Sequence, residues 1–122
     1  MAEIVRVYTG DDDLTHIEKV DVPMESFVDT EGAYGLGTPF QPASGITFRE
    51  SPPGYFLDWH NAPRRQYTIT LTGEAEIEAS DGTKMRVGPG DILLAEDLTG
   101  KGHTTRVVSM GTRLYVVVAL EE

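Results

Sequence analysis

The chain contains no cysteine among its 122 residues, which rules out disulfide bridges, thiolate nucleophiles and any zinc site built on sulfur. A metal bound here must be held by nitrogen and oxygen. Positive charge is also scarce: 10 Lys and Arg stand against 20 Asp and Glu, a formal net charge of -10. A field of that sign repels a polyanion, so nucleic acid is not expected as a partner. No apolar run approaches the roughly 18 residues of a membrane-spanning helix. Met1 to Tyr8 carries no basic segment followed by a long apolar stretch, so a cytoplasmic protein without membrane contact is the simplest expectation. What is present suits one globular domain over residues 1–122. Hydrophobic residues make up 39% and charged residues 25%, and a chain of this length buries one core but not two.

Strand signals occupy most of the chain. Glu3 to Tyr8 alternates Ile4, Arg6 and Tyr8 against Val5 and Val7, then stops at the solvated turn Gly10-Asp11-Asp12-Asp13. His16 to Val22 alternates again and ends at Pro23, which cannot donate to a sheet ladder, so an exposed edge strand is predicted, with His16 at the surface. Met24 to Ser44 is rich in Gly, Pro, Thr and Ser and has no clear period. It predicts a long loop with one helical turn near Met24 to Val28, lying across a barrel mouth.

From Gly45 the pattern is regular. Strands are predicted over Ile46 to Glu50, Gly54 to Asn61, Gln66 to Thr72, Glu74 to Ala79, Lys84 to Val87, Asp91 to Ala95, His103 to Ser109 and Thr112 to Leu120. Turn pairs such as Thr72-Gly73, Asp81-Gly82 and Met110-Gly111 separate them. About ten strands with no long helix predict a closed all-β barrel or jelly roll. The apolar run Leu114 to Leu120 is either a strand buried on both faces or one that pairs across a dimer.

Alternation sets Tyr55, Leu57 and Trp59 on one face of their strand and Phe56, Asp58, His60 and Ala62 on the other. The second, mixed face is the one expected to line a ligand cavity. Gln66 and His103 each open a later strand. Imidazole nitrogens with amide or carboxylate oxygens from separate strands are donors that a first-row divalent metal accepts. Alternatively, His60 and His103 are hydrogen-bonded interior residues with no metal. Arg64 and Arg65 lie in the segment joining two cavity strands and either pair with a ligand carboxylate or make surface ion pairs. Arg49 and Arg106 are weaker candidates. Tyr67, Tyr55 and Trp59 either line a pocket for a flat ligand or pack the sheet.

These residues resemble the two cupin motifs. The first, G-x5-H-x-H-x3-4-E-x6-G, is matched in spacing by Gly54, His60, Ala62, Gln66 and Gly73. The second, G-x5-P-x-G-x2-H-x3-N, is matched in part by Gly100-Lys101-Gly102-His103, with Pro89-Gly90-Asp91 opening the preceding strand. The resemblance implies an all-β, cupin-type double-stranded β-helix (jelly-roll) barrel with little helix. Its core would span residues 45–120, with N-terminal strands and a loop over 1–44, and a homodimer would be its assembly.

The departures fall on the ligands. Ala62 replaces the second histidine and Gln66 the glutamate; Leu98 stands where proline would be, two extra residues lie between Gly90 and Leu98, and Val107 replaces the asparagine. An amide in place of a carboxylate weakens attraction for a dication, and a lost histidine removes a coordinate bond. Asp58, on alternation grounds, is the residue that would restore the anion. The expected metal set is therefore His60, Gln66, His103 and Asp58 around one divalent ion (iron, manganese, nickel or zinc), with Arg64, Arg65, Tyr67 and Phe56 as ligand contacts. The expected function is binding of a small molecule, with oxygenase-like or isomerase-like metal chemistry at His60 and His103. Its alternative is a metal-free binding protein or a structural dimeric barrel.

Overall fold

β-branched and aromatic residues fill the runs that become strands in the computed structural model, which describes residues 2–121. β1 (Ala2–Thr9) and β2 (Thr15–Val22) form an antiparallel hairpin, and β3 (Glu25–Val28) and β4 (Tyr34–Gly37) form another. β5 (Ala43–Ser51), β6 (Phe56–His60), β7 (Gln66–Thr72), β8 (Ala75–Ala79) and β9 (Lys84–Val87) follow. β10 (Ile92–Glu96), β11 (His103–Val107) and β12 (Arg113–Leu120) complete the order. The all-β expectation holds, with no helix among the described residues and so none long and apolar enough to cross a membrane.

A six-stranded sheet in the order β2-β1-β10-β7-β12-β5 faces a four-stranded sheet in the order β6-β11-β8-β9. β2 is an edge strand, as expected, and ends just before Pro23. β12 lies inside its sheet between β7 and β5, so the apolar run from Leu114 is paired on both sides within this chain. The other edge of this sheet is β5, where Ile46 and Phe48 are exposed.

The core reaches further towards the N-terminus than the motif-based boundary at residue 45. β1 inserts beside β10 in parallel, with Val5 opposite Leu93 and Val7 opposite Ala95. Val5 and Val7 are then buried with Ala75, Ile77, Val87 and Leu93 between the two sheets. Burying a valine fully contributes about 1.5–3 kcal/mol, so Val7 and Val87, both at 0% exposure, help clamp the sheets together. The opposite face of the larger sheet carries a second cluster of Ile4, Leu94 and Leu120, with Tyr67 packed against it.

One local expectation is corrected. Glu25 to Val28 is not a helical turn but a strand paired with β4, its Phe27 ring lying against the bare backbone of Gly35 and Gly37. Side chains at those two positions would crowd the ring, and the cross-strand fit outweighs the weak helical preference of so short a segment. The loop that follows β4 is tied to the outer face of the larger sheet by a 2.7 Å hydrogen bond from the Tyr67 hydroxyl to Gln41 Oε1.

Candidate functional site

Between the sheets lies a cavity of about 90 Å³, bounded by residues of β5, β6, β7, β8, β10, β11 and β12. His60, Gln66 and His103 all line it, from three strands. His60 and His103 are direct partners in the β6–β11 ladder, and their ring centroids are 4.3 Å apart at an interplanar angle of 56°.

Each ring is held through Nδ1. The His60 Nδ1 lies 2.7 Å from the Asp58 carbonyl oxygen, which can only accept, so Nδ1 carries the proton and Nε2 keeps its lone pair. His103 Nδ1 donates to Asp97 Oδ2 at 2.5 Å. Burial holds His60 below its ordinary pKa, with the neighbouring His103 adding to the effect, although the Asp58 carbonyl works the other way. His60 is therefore a neutral base near neutral pH.

Asp97 is a residue that sequence reasoning missed. Its side chain is fully buried and accepts from the Thr15 hydroxyl at 3.0 Å, while Oδ1 has no partner among the described residues. Its backbone carbonyl accepts from Ala62 N–H at 3.1 Å, tying the two motif segments together. Nothing in the run Glu96-Asp97-Leu98 distinguishes this carboxylate from its neighbour, since its burial follows from the chain's path between β10 and β11.

Gly102 makes the histidine pair possible. Its φ is +78°, and a Cβ there would lie 2.1 Å from the His60 carbonyl oxygen. Gly102, at an unspecified position of the second motif just before His103, thus serves a backbone approach that no other residue permits. Gly73 does the same elsewhere: with φ at +75°, its missing Cβ would lie 2.8 Å from the Arg113 Cα.

Alternation failed on β6, and the reason is visible. His60 pairs with His103 but Leu57 pairs with Thr105, so three residue steps on β6 oppose two on β11. This β-bulge reverses the facing of everything before it. Tyr55 and Leu57 line the cavity, whereas Phe56 and Asp58 do not. Phe56 lies under the Arg106 guanidinium at 4.3 Å, and the Asp58 side chain accepts from the Trp59 N–H at 2.8 Å.

The remaining predicted contacts also lie away from the cavity lining. Arg65 pairs with Glu96 at 2.7 Å, on the same carboxylate that Arg6 holds. Arg64 donates to Gln66 Oε1 at 3.1 Å. Tyr67 faces the opposite side of its sheet, as its position next to the inward Gln66 demands. The arginines that do line the cavity are Arg49 and Arg113. Arg113 sits on β12 in phase with the inward Tyr115 and Val117, a signal alternation could have supplied.

This architecture is also that of known structures. The chain aligns with a Cupin 2 conserved barrel domain protein from Salinispora arenicola at a TM-score of 0.52 and 20% identity, covering 62% of this chain and 61% of that one. It has the cupin fold. A double-stranded β-helix domain protein from Klebsiella pneumoniae aligns at a TM-score of 0.51 and 22% identity, over 69% of this chain and 77% of the other. The DMSP lyase DddQ from Ruegeria pomeroyi aligns at 0.55 and 19% identity, over 82% of this chain but 47% of the lyase. No protein-family model and no curated protein sequence matches the chain.

The resemblance to the cupin motifs implies a metal at His60 and His103, so the fit of these residues to a dication matters. Both imidazoles are anchored as ligands would be. However, the third donor is a neutral amide already engaged by Arg64, and among the described residues no group of three or more His, Asp or Glu side chains converges for a metal. Among the described residues no carboxylate lines the cavity, and the charged residues that do are two arginines. Two imidazoles and an amide beside uncompensated guanidinium charge do not fit a resident divalent ion.

Proposed function

We propose that the protein is a metal-free small-molecule-binding barrel, with its ligand seated against the His60 and His103 pair. The observation that carries this reading is a cavity whose polar lining, among the described residues, contains bases, hydroxyls and guanidinium groups but no carboxylate. The His60 Nε2 then serves as an acceptor for a hydroxyl or N–H of the ligand, and the His60 and His103 rings are oriented by Asp58 and Asp97 through Nδ1. The apolar lining, including Leu57, Ile77 and Leu93, excludes water and strengthens those hydrogen bonds.

Elemental analysis of the purified protein, with and without a chelator, tests the first half of the proposal. Substoichiometric metal and an unchanged melting temperature are expected. Near-stoichiometric metal that disappears in a His60→Ala, His103→Ala double variant would return the site to a metal centre. The second half is tested by a thermal-shift screen of small polar molecules in chelator, where His60→Gln should abolish the shifts given by the wild-type chain.

A further inference from the structure

Arg113 is buried to 4% exposure, yet no carboxylate lies within ion-pair distance of it among the described residues. Its hydrogen bonds within the chain, from Nε and Nη2 at 3.3 and 3.0 Å, both go to the Thr70 hydroxyl, a single neutral acceptor. The guanidinium lies 4.1 Å from the centroid of the Tyr115 ring, which Arg49 also approaches at 5.9 Å. A buried cation without a counter-ion costs stability, and in a chain of net charge -10 the shortage is not of acids to pair with it. An arginine kept charged, buried and facing a cavity is a residue set up for an anion from outside.

We propose that Arg113, with Arg49 at the rim, binds the carboxylate of a short hydroxy acid whose hydroxyl donates to the histidine pair. This assignment rests on the small-molecule reading above and narrows it to a substrate class. The planar fork of one guanidinium matches a carboxylate. The cavity, at about 90 Å³, is smaller than the roughly 150 Å³ that admits benzene, so the enclosed part of the ligand has only a few heavy atoms. A hydroxyl is the natural partner for His60 Nε2, a neutral acceptor at the other polar group of the cavity. Burial pushes the Arg113 guanidinium below its ordinary pKa, the direction that an arriving carboxylate reverses.

The test is calorimetric titration of the full chain, in chelator, with glycolate, L-lactate, the uncharged glycolamide and inorganic phosphate. Glycolate or lactate should bind, and glycolamide should bind about ten- to a hundredfold more weakly, as expected when a charge-assisted hydrogen bond is lost. Arg113→Met should lose hydroxy-acid binding while melting no lower than the wild type, since it removes an uncompensated buried charge. If that variant fails to fold, Arg49→Gln on the exposed β5 provides the second readout, with an expected weakening of about threefold or more. Equal binding of glycolamide, or binding of phosphate in place of the hydroxy acids, would overturn the carboxylate assignment and leave the cavity a binding site. Silence from every probe, together with no thermal shift in the wider screen, would overturn both readings.

Discussion

Asp97 and His103 form a buried carboxylate–imidazole pair, Oδ2 to Nδ1 at 2.5 Å, with side-chain exposures of 0% and 6%. Removing one member of such a pair leaves the other unpaired in a low-dielectric interior. Asp97→Ala should therefore destabilise the protein by about 3–5 kcal/mol, with Asp97→Asn costing less because the amide oxygen still accepts from Nδ1–H. Urea denaturation measures both, and equal stability of Asp97→Ala and wild type would show that the pair does not hold the fold.

Gly102→Ala should be among the most damaging single-methyl changes in the chain. The added carbon meets the His60 carbonyl at 2.1 Å and the residue keeps a φ of +78°, so backbone must move. A loss of about 3 kcal/mol or more is expected, together with separation of the two histidine rings. Gly82→Ala, also at positive φ but with nothing near its missing Cβ, is the control and should cost less. Comparable melting temperatures for the two variants would contradict this steric account.

Two histidines should give opposite pH slopes. His16 is raised above its ordinary value, mainly by its hydrogen bond to Asp12, with Asp81 contributing. Its stabilisation is present below the unfolded value near 6.5 and fades as pH rises through the folded pKa. His60 is lowered, chiefly by burial, so its contribution is present above that unfolded value and is lost as pH falls through the folded pKa. Melting curves across pH 4–9 should flatten on the alkaline side in His16→Gln and on the acid side in His60→Gln. A His16→Gln curve parallel to wild type would remove the surface clasp from the account.

The two departures from the first motif should be reversible in their consequence. Ala62 and Gln66 line the same cavity as His60 and His103. An Ala62→His, Gln66→Glu double variant should therefore bind one divalent ion, measured by titration with zinc or manganese, where the wild-type chain binds none. The buried position of Ala62 predicts some loss of stability from overpacking, about 1–3 kcal/mol. Equally tight metal binding by both proteins would show that these substitutions do not set metal affinity.

Most strands were legible because their signals are local. Lys84 to Val87 was predicted with the bounds the structure has, and His60, Gln66 and His103 line one cavity. The β3–β4 hairpin was not legible. Phe27 and Val28 are too short a run to show a period, and what settles their conformation is the pairing with residues six and more positions further on.

The amino-acid sequence by itself determined the strand content, the turns, the lack of sulfur chemistry and the identity of the histidine pair. Each of these depends on a period of two, on turn-forming residues or on residue type, all readable within a few positions. Tertiary structure alone decided which side chains reach the cavity. One extra residue in β6 turned Asp58 and Phe56 away and brought Leu57 and Tyr55 in, because a bulge depends on pairing with another strand rather than on its own strand's composition. The burial of Asp97 behind His103, and of Arg113 without an acid beside it among the described residues, came likewise from the packing of strands far apart in sequence.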